Sequence, residues 1–265
     1  MTPTKNCKYH SNIVILQRGY VGFTLLSALG TVVSDGSDAI RLFFVRSSTG
    51  DCPIPLYSGK TAVMLMMPTV FCVNALGVMF IFIGIERAIA TVYPERYEKM
   101  KSTLPGWFLL GVAFLASFGK AAWMFSRTKT RDGQPMVTIG EMEPFMHFAT
   151  LGMQLAIEFV NILIFTLLHF CNKRRQKALG RLSSTLAYKY QLNENFESVS
   201  QLLRFAWLHG IVIVTSTTIL LASIFCMTDQ QQERFGLLFD LYPIYHCLFP
   251  VLMGYRFEDG KAKQG

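Results

Sequence analysis

Long apolar stretches with almost no charged residues dominate the chain. Residues 61–85 contain no Asp, Glu, Lys or Arg, and residues 205–228 are equally free of charge. As a helix, the first stretch is about 37 Å long, enough to cross a hydrocarbon core of about 30 Å with some tilt. The same pattern predicts six membrane-spanning helices in total, at residues 13–33, 61–85, 104–126, 148–171, 205–227 and 235–255.

The helical core of a soluble protein is the main alternative to these spans. Helices at the surface of a soluble protein carry a polar face that repeats every 3.6 residues. Residues 210–227 have no such face, because their polar groups are hydroxyls that can bond to carbonyls of their own helix. The pattern therefore predicts an all-α, polytopic transmembrane bundle.

Charge and composition support a membrane protein and fix its expected orientation. Hydrophobic residues make up 51% and charged residues 16% of the chain, and the net charge is +8. Lys and Arg are more than twice as numerous in segments 1–12, 86–105, 172–204 and 255–265 as in the segments on the other side. The positive-inside rule then places both termini, and a large loop at 172–204, in the cytosol. The bilayer and cytosolic partners account for the charge, so nucleic acid is not a predicted partner.

An acid–arginine pair, Glu86 and Arg87, lies where the second predicted span meets the cytosol. In any membrane protein such a pair can end a span and reach the lipid headgroups. The longer string, which reads ERAIAT at residues 86–91, also resembles the activation switch of seven-helix G-protein-coupled receptors. In those receptors the arginine is held inside until an agonist opens the cytosolic face.

The predicted loop 172–204 begins with a basic run: Lys173, Arg174, Arg175, Lys177 and Arg181. Leucines follow at helical spacing, so two interpretations are open. The segment is either a basic amphipathic helix on the inner leaflet, or a cytosolic extension of two spans that binds a partner protein.

One face of the fourth span carries five polar side chains: His147, Gln154, Glu158, Asn161 and His169. At 100° per residue they fall within about 40° of one line. A carboxylate at mid-depth costs about 2.5 kcal/mol or more, so this face must turn inward. Glu158 then either lines a ligand pocket, joined by Asp240, or forms an interhelical clamp with Lys120, Asn74 or a hydroxyl.

Four short motifs occur in order: HSN at 10–12, ERAIAT at 86–91, YQLNEN at 190–195 and YPIY at 242–245. Together they resemble the nematode serpentine chemoreceptors of the Sra superfamily, with class ab closest and classes e, b and a near behind. The resemblance implies a chemosensory receptor in the plasma membrane of sensory neurons. Such a receptor binds a small external molecule among its spans and signals to a heterotrimeric G protein.

The resemblance also implies roles for the motif residues. Arg87 is the expected switch, with Glu86 as its partner, and the basic run at 173–181 is the expected G-protein contact. The family usually has cysteine pairs on the outer side, which makes Cys52 and Cys226 the candidate disulfide. Because HSN at 10–12 resembles the first cytosolic loop of the family, its first helix is expected to be missing from this chain.

Two other classes of function remain open. One is a six-span transporter or channel in which Glu158 is a conducting or coupling residue. The other is a truncated, non-signalling receptor that forms homo- or hetero-oligomers with full-length relatives. The sequence has no paired metal-binding histidines, no phosphate-binding glycine loop and no Gly-x-Ser-x-Gly motif, so no enzyme activity, metal or cofactor is predicted.

Overall fold

The computed structural model describes residues 10–44, 56–100, 102–130, 132–133, 137, 144–179, 186–226 and 245. Six helices follow one another in these ranges: α1 (Ser11–Phe44), α2 (Gly59–Val92), α3 (Pro94–Lys99), α4 (Leu104–Arg127), α5 (Pro144–Leu179) and α6 (Leu186–Cys226). All except α3 are long and apolar enough to cross a membrane. They correspond to five of the six predicted spans and confirm the all-α bundle. The predicted span at 235–255 lies outside the described residues, apart from Tyr245.

The helices are longer than the apolar stretches from which they were predicted. The first continues through its polar end to Phe44. In the predicted loop 172–204, α5 runs on to Leu179 and α6 begins at Leu186. Most of that range is therefore helical, and the structure has the extension of two spans rather than a separate surface helix. The reason is that Lys, Arg, Gln, Leu and Ala all favour helix once the backbone hydrogen bonds are established.

The second helix, α2, is the centre of the bundle. It packs against α1, α4, α5 and α6, and its last turn meets α3. Cys72, Ala75, Met79 and Ile83 follow one another at intervals of three or four residues and are all buried, as is Phe80. This central position brings the predicted pair at 86 and 87 to the middle of the bundle's inner end, the end predicted to face the cytosol.

Glycines allow the closest helix contacts. A Cβ atom added at Gly84 would lie 2.7 Å from Cγ2 of Ile164, and one added at Gly106 would lie 3.1 Å from Cα of Asn12. Contacts of this kind are typical of membrane helices, which associate through close packing rather than through the exclusion of water. They hold α5 against α2, and α4 against the start of α1.

Large apolar side chains cover the outside of the bundle. Examples that are more than half exposed lie on four different helices: Leu29, Phe108, Leu115, Phe159 and Ile211. Exposed apolar area on this scale is unfavourable in water but suits contact with lipid.

Polar contacts tie the helix ends together at the opposite, outer end. Asp38 Oδ2 accepts a hydrogen bond from the backbone N–H of Val137 at 2.9 Å, and Tyr57 Oη donates to Ser37 Oγ at 2.8 Å. The candidate disulfide lies beyond what the structure describes, because Cys52 and the side chain of Cys226 fall outside it.

Candidate switch and ligand site

The predicted pair of Glu86 and Arg87 lies at the inner end of α2 and is buried. Arg87 Nε donates to Glu86 Oε2 at 2.5 Å, and Arg87 Nη2 donates to Glu86 Oε1 at 2.8 Å. The side chains of the pair are only 3% and 5% exposed. A two-point contact of this kind fixes the orientation of the guanidinium as well as compensating its charge.

The same guanidinium reaches two other helices. Arg87 Nη1 donates to Asn195 Oδ1 of α6 at 3.3 Å, and Nη2 donates to Tyr97 Oη of α3 at 3.0 Å. Tyr97 Oη in turn donates to Glu86 Oε1. One arginine therefore joins α2, α3 and α6, and its hydrogen-bonding capacity is almost fully used.

Thr91, one turn further along α2, extends this network. Its Oγ1 donates to the carbonyl of Arg87 at 2.8 Å and accepts from Asn195 Nδ2 at 2.6 Å. Its own carbonyl accepts from Arg175 Nη1, which adds α5 to the assembly. We refer to Glu86, Arg87, Thr91, Tyr97 and Asn195, all 5% exposed or less, as the Arg87 lock.

Three of the four sequence motifs meet around this lock. The His10 ring lies with its centroid 4.1 Å from that of Tyr97, and His10 Nε2 is 2.7 Å from the carbonyl oxygen of Met100. Asn195 belongs to the YQLNEN motif and Thr91 to ERAIAT. The sequence alone did not indicate that Tyr97 or Asn195 contacts the switch arginine. The only signal that pointed to Asn195 and Thr91 was the order of the motifs, which carries no information about contact.

The basic run after the fourth predicted span divides into two groups. Lys173, Arg174 and Lys177 are exposed near the end of α5. Arg175 is half-buried because its guanidinium turns inward to the Thr91 carbonyl. Arg181 lies outside the described residues.

The polar face of the fourth predicted span turns toward the interior over the middle of α5. Gln154, Glu158 and Asn161 are buried, and Glu158 and Asn161 are each only 1% exposed. His169, nearer the inner end, is half-buried with Nδ1 3.1 Å from Ser200 Oγ. The side chain of His147 is not described, and Asp240 lies outside the described residues.

The hydrogen bond that Glu158 forms comes from a residue that was not among the clamp partners expected from sequence. Gln154 Nε2 donates to Glu158 Oε1 at 3.0 Å. His209 Nε2 of α6 lies 3.3 Å from the same oxygen, close enough for charge attraction but not aligned as a hydrogen bond. Lys120 interacts with Glu158 electrostatically without a hydrogen bond, and Asn74 bonds to a carbonyl of its own helix.

Several buried polar atoms around Glu158 have no hydrogen-bond partner within the described part of the chain. They are Glu158 Oε2, Asn161 Oδ1, both ring nitrogens of His209 and Lys120 Nζ. Asn161 Nδ2, by contrast, donates to the carbonyl of Gly77 at 3.1 Å. Each unpaired buried group costs about 1–3 kcal/mol, so such a group is expected to bond to something else, such as water or a ligand. We call Gln154, Glu158, Asn161 and His209 the Glu158 cluster.

Aromatic side chains form a wall beside this cluster. The His209 ring lies 5.5 Å from that of Phe80 and 5.1 Å from that of Tyr245, measured between centroids. Tyr245, from the YPIY motif, is paired with Tyr20 of α1 through hydroxyls 2.5 Å apart. The sequence suggested that His209 is a packed core residue. Nothing in its spacing could show that it faces Glu158, which lies 51 positions away.

Comparison with known families identifies the family to which the chain belongs. Residues 1–264 match the family model described as the serpentine type seven-transmembrane G-protein-coupled receptor, class ab chemoreceptor. No curated protein matches the chain. The match spans nearly the whole sequence and confirms the family that the ordered motifs predicted. The chain is a multi-pass membrane protein and belongs to the class ab family of serpentine chemoreceptors.

Proposed function

We propose that this receptor binds a small external molecule at the Glu158 cluster and passes the signal to a heterotrimeric G protein through release of the Arg87 lock. The observation that carries the proposal is the set of unpaired polar atoms around Glu158. Atoms of this kind are expected where a ligand or an ordered water completes the hydrogen bonding.

The unpaired atoms indicate the chemistry of the ligand. Glu158 Oε2 and Asn161 Oδ1 are both acceptors, so the matching ligand offers N–H or O–H donors. A carboxylate at this depth favours an amine over an alcohol, because a cation also offsets its charge. The neighbouring rings of Phe80 and Tyr245 suit an apolar or aromatic portion of the same molecule.

Two helices connect the cluster and the lock: α6 carries residues of both, and α2 carries most of the lock and contacts the cluster through Gly77. On α6, His209 is 14 residues from Asn195, a distance of about 21 Å along the axis. On α2, Gly77, which contacts Asn161, is ten residues from Arg87. A ligand that binds better when α5 and α6 shift relative to α2 would weaken the contact between Arg87 and Asn195. Such a difference in affinity between two packings is the only means by which an agonist can act.

The G protein would bind at the inner end. Lys173, Arg174 and Lys177 present positive charge to the cytosol in the predicted orientation. Freed from Glu86, Arg87 would add a further donor to that surface. Arg175 and Arg181 remain part of the proposed contact. We also propose that the receptor lies in the plasma membrane of sensory neurons.

The proposal is tested by expressing the chain with a reporter G protein and screening amines and alcohols of matched shape. Glu158→Gln is expected to lower the response to an activating amine about tenfold or more, by removing the charge that pairs with it. Glu197→Gln makes the same change at an exposed position on α6 and is the matched control. Arg87→Ala is expected to abolish the response to every ligand, counted per receptor at the cell surface because loss of the buried pair also lowers stability.

The outcomes separate the parts of the proposal. Equal responses from Glu158→Gln and the unchanged chain would show that the ligand binds elsewhere. A fall in expression without a change in ligand sensitivity would show that Glu158 is an interhelical clamp. Full signalling by Arg87→Ala would contradict the assignment of the switch.

A further inference from the structure

A cavity lies at the inner end of the bundle, beside the Arg87 lock and next to the last turn of α2. Its volume is about 540 Å³, within the range of about 300–1,000 Å³ that small-molecule sites occupy. It is lined by the end of α2, the start of α3 and single residues of α5 and α6: Val92, Tyr93, Pro94, Arg96, Arg175 and Tyr188.

The lining is cationic. Arg96 and Arg175 come from different helices, and the part of the lining that the structure describes contains no carboxylate. Neither guanidinium forms an ion pair with any carboxylate that the structure describes. The two tyrosines add hydroxyl groups that can donate. Two guanidinium forks with tyrosine hydroxyls form a donor set suited to the several oxygens of a phosphate group.

One of the two arginines is held in place by the receptor itself. Arg175 Nη1 donates to the carbonyl of Thr91, so part of the entropy of ordering this side chain is already spent. The structure describes no other hydrogen bond from that guanidinium, so its remaining N–H groups can bond to a ligand. Arg96 is exposed and completes the site from α3.

We propose that this cavity binds a phosphate-bearing group, such as the phosphorylated headgroup of an inner-leaflet inositol lipid or a soluble phosphate ester. The predicted orientation places the cavity at the inner membrane surface, where anionic headgroups are concentrated. The exposed Lys173, Arg174 and Lys189 on the neighbouring turns of α5 and α6 would attract such a group to the cavity.

Occupancy would also affect the Arg87 lock. The phosphate group would join Arg96 of α3 to Arg175 of α5, and Arg175 is bonded to Thr91 within the lock. Bridging these helices stabilises the arrangement in which Arg87 is held. Arg175 also belongs to the proposed G-protein contact, but phosphate binding can be measured without an external ligand or a G protein, so the test of this site depends on neither.

The test uses the full chain in nanodiscs with and without a phosphatidylinositol bisphosphate, and the detergent-solubilised chain with soluble inositol trisphosphate. Affinity is measured with a fluorescent headgroup probe. Arg96→Gln/Arg175→Gln is expected to weaken binding about tenfold or more, because two charge-assisted contacts are lost. Lys173→Gln/Lys189→Gln removes the same charge from exposed positions outside the lining and is expected to cost about threefold or less.

Arg96→Gln alone guards against a folding defect, since the Arg96 side chain is exposed and has no described hydrogen bond to the lock. Binding of both probes with the same arginine dependence identifies the phosphate group as sufficient. Binding of the bilayer lipid but not of the soluble phosphate identifies the lipid headgroup as the ligand. Either of these two results supports the site. Equal losses in the two double variants would show diffuse charge attraction and overturn it. Absence of phosphate binding, together with weaker G-protein binding in the arginine variants, would assign the cavity to protein docking and also overturn it.

Discussion

The Arg87 lock and the Glu158 cluster are both buried groups of polar side chains in one bundle, but their hydrogen bonding differs. In the lock, Arg87 donates to Glu86, Tyr97 and Asn195. In the cluster, Glu158 Oε2 and both nitrogens of His209 have no hydrogen-bond partner within the described residues, although His209 Nε2 lies 3.3 Å from Glu158 Oε1. The two groups share α6 and are buried to a similar degree, so the difference lies in which partners each group contacts.

The comparison separates two uses of buried polarity. A fully bonded network resists change, because moving any member leaves another group unpaired at a cost of about 1–3 kcal/mol. When a partly bonded cluster acquires a new hydrogen-bond partner, its free energy falls by about the same amount. The first suits a device that holds one conformation until it is released, and the second suits a site that awaits a ligand.

The sharpest way to break the lock is Glu86→Gln, which leaves the buried Arg87 without its carboxylate. Removing one partner of a buried ion pair costs about 3–5 kcal/mol. We expect lower thermal stability of the purified receptor and raised basal activation of a G protein. Both are measurable without a ligand, by a melting curve in detergent and by GTP exchange.

The double variant Glu86→Gln/Arg87→Gln provides the control for this change. It removes both charges, so part of the lost stability should return. Activation of the G protein should be lost, because the switch arginine is absent. A single Glu86 variant as stable as the unchanged chain would show that the pair is not the main restraint on Arg87.

A smaller effect is expected from Asn195→Ala, which cuts the link between α2 and α6. The change removes the acceptor for Arg87 Nη1 and the donor to Thr91 Oγ1. We expect a loss of about 1–2 kcal/mol and a moderate rise in basal signalling, because Glu86 and Tyr97 still hold the guanidinium. Asn193→Ala is the matched control on the same helix: its bonds to Gln176 and Glu197 are exposed to solvent, so both quantities should change much less.

The smallest effect on stability is expected in the Glu158 cluster, from His209→Phe. The new ring can keep the contacts with Phe80 and Tyr245, and two unpaired ring nitrogens are removed. The free energy of unfolding should change by less than about 1 kcal/mol, in either direction. The response to an amine ligand should fall, which a dose–response curve would show. A large loss of stability instead would mean that the His209 nitrogens are bonded in the native receptor, and the contrast with the lock would disappear.

Much of the fold followed from the linear pattern of charge and hydropathy. The uncharged run at 61–85 predicted the span that became α2, and the apolar run at 104–126, with Lys120 as its one charge, predicted α4 almost to the residue. The continuation of α5 to Leu179 was not predicted as part of the span, because hydropathy reports burial in lipid and not helix formation. The polar face through Gln154, Glu158 and Asn161 was predicted, since 3.6-residue periodicity is a property of one helix.

The sequence by itself determined the class of the molecule, the helices, the family motifs and the acid–arginine pair of neighbouring residues. Only the tertiary structure decided which partners these groups have. Tyr97 and Asn195 meet Arg87, and His209 faces Glu158, across separations of 10, 108 and 51 positions. Contacts within one helix repeat with its geometry and can be read from spacing. Contacts between helices depend on how each pair packs, which small residues such as Gly84 set through close approach rather than through any repeated pattern.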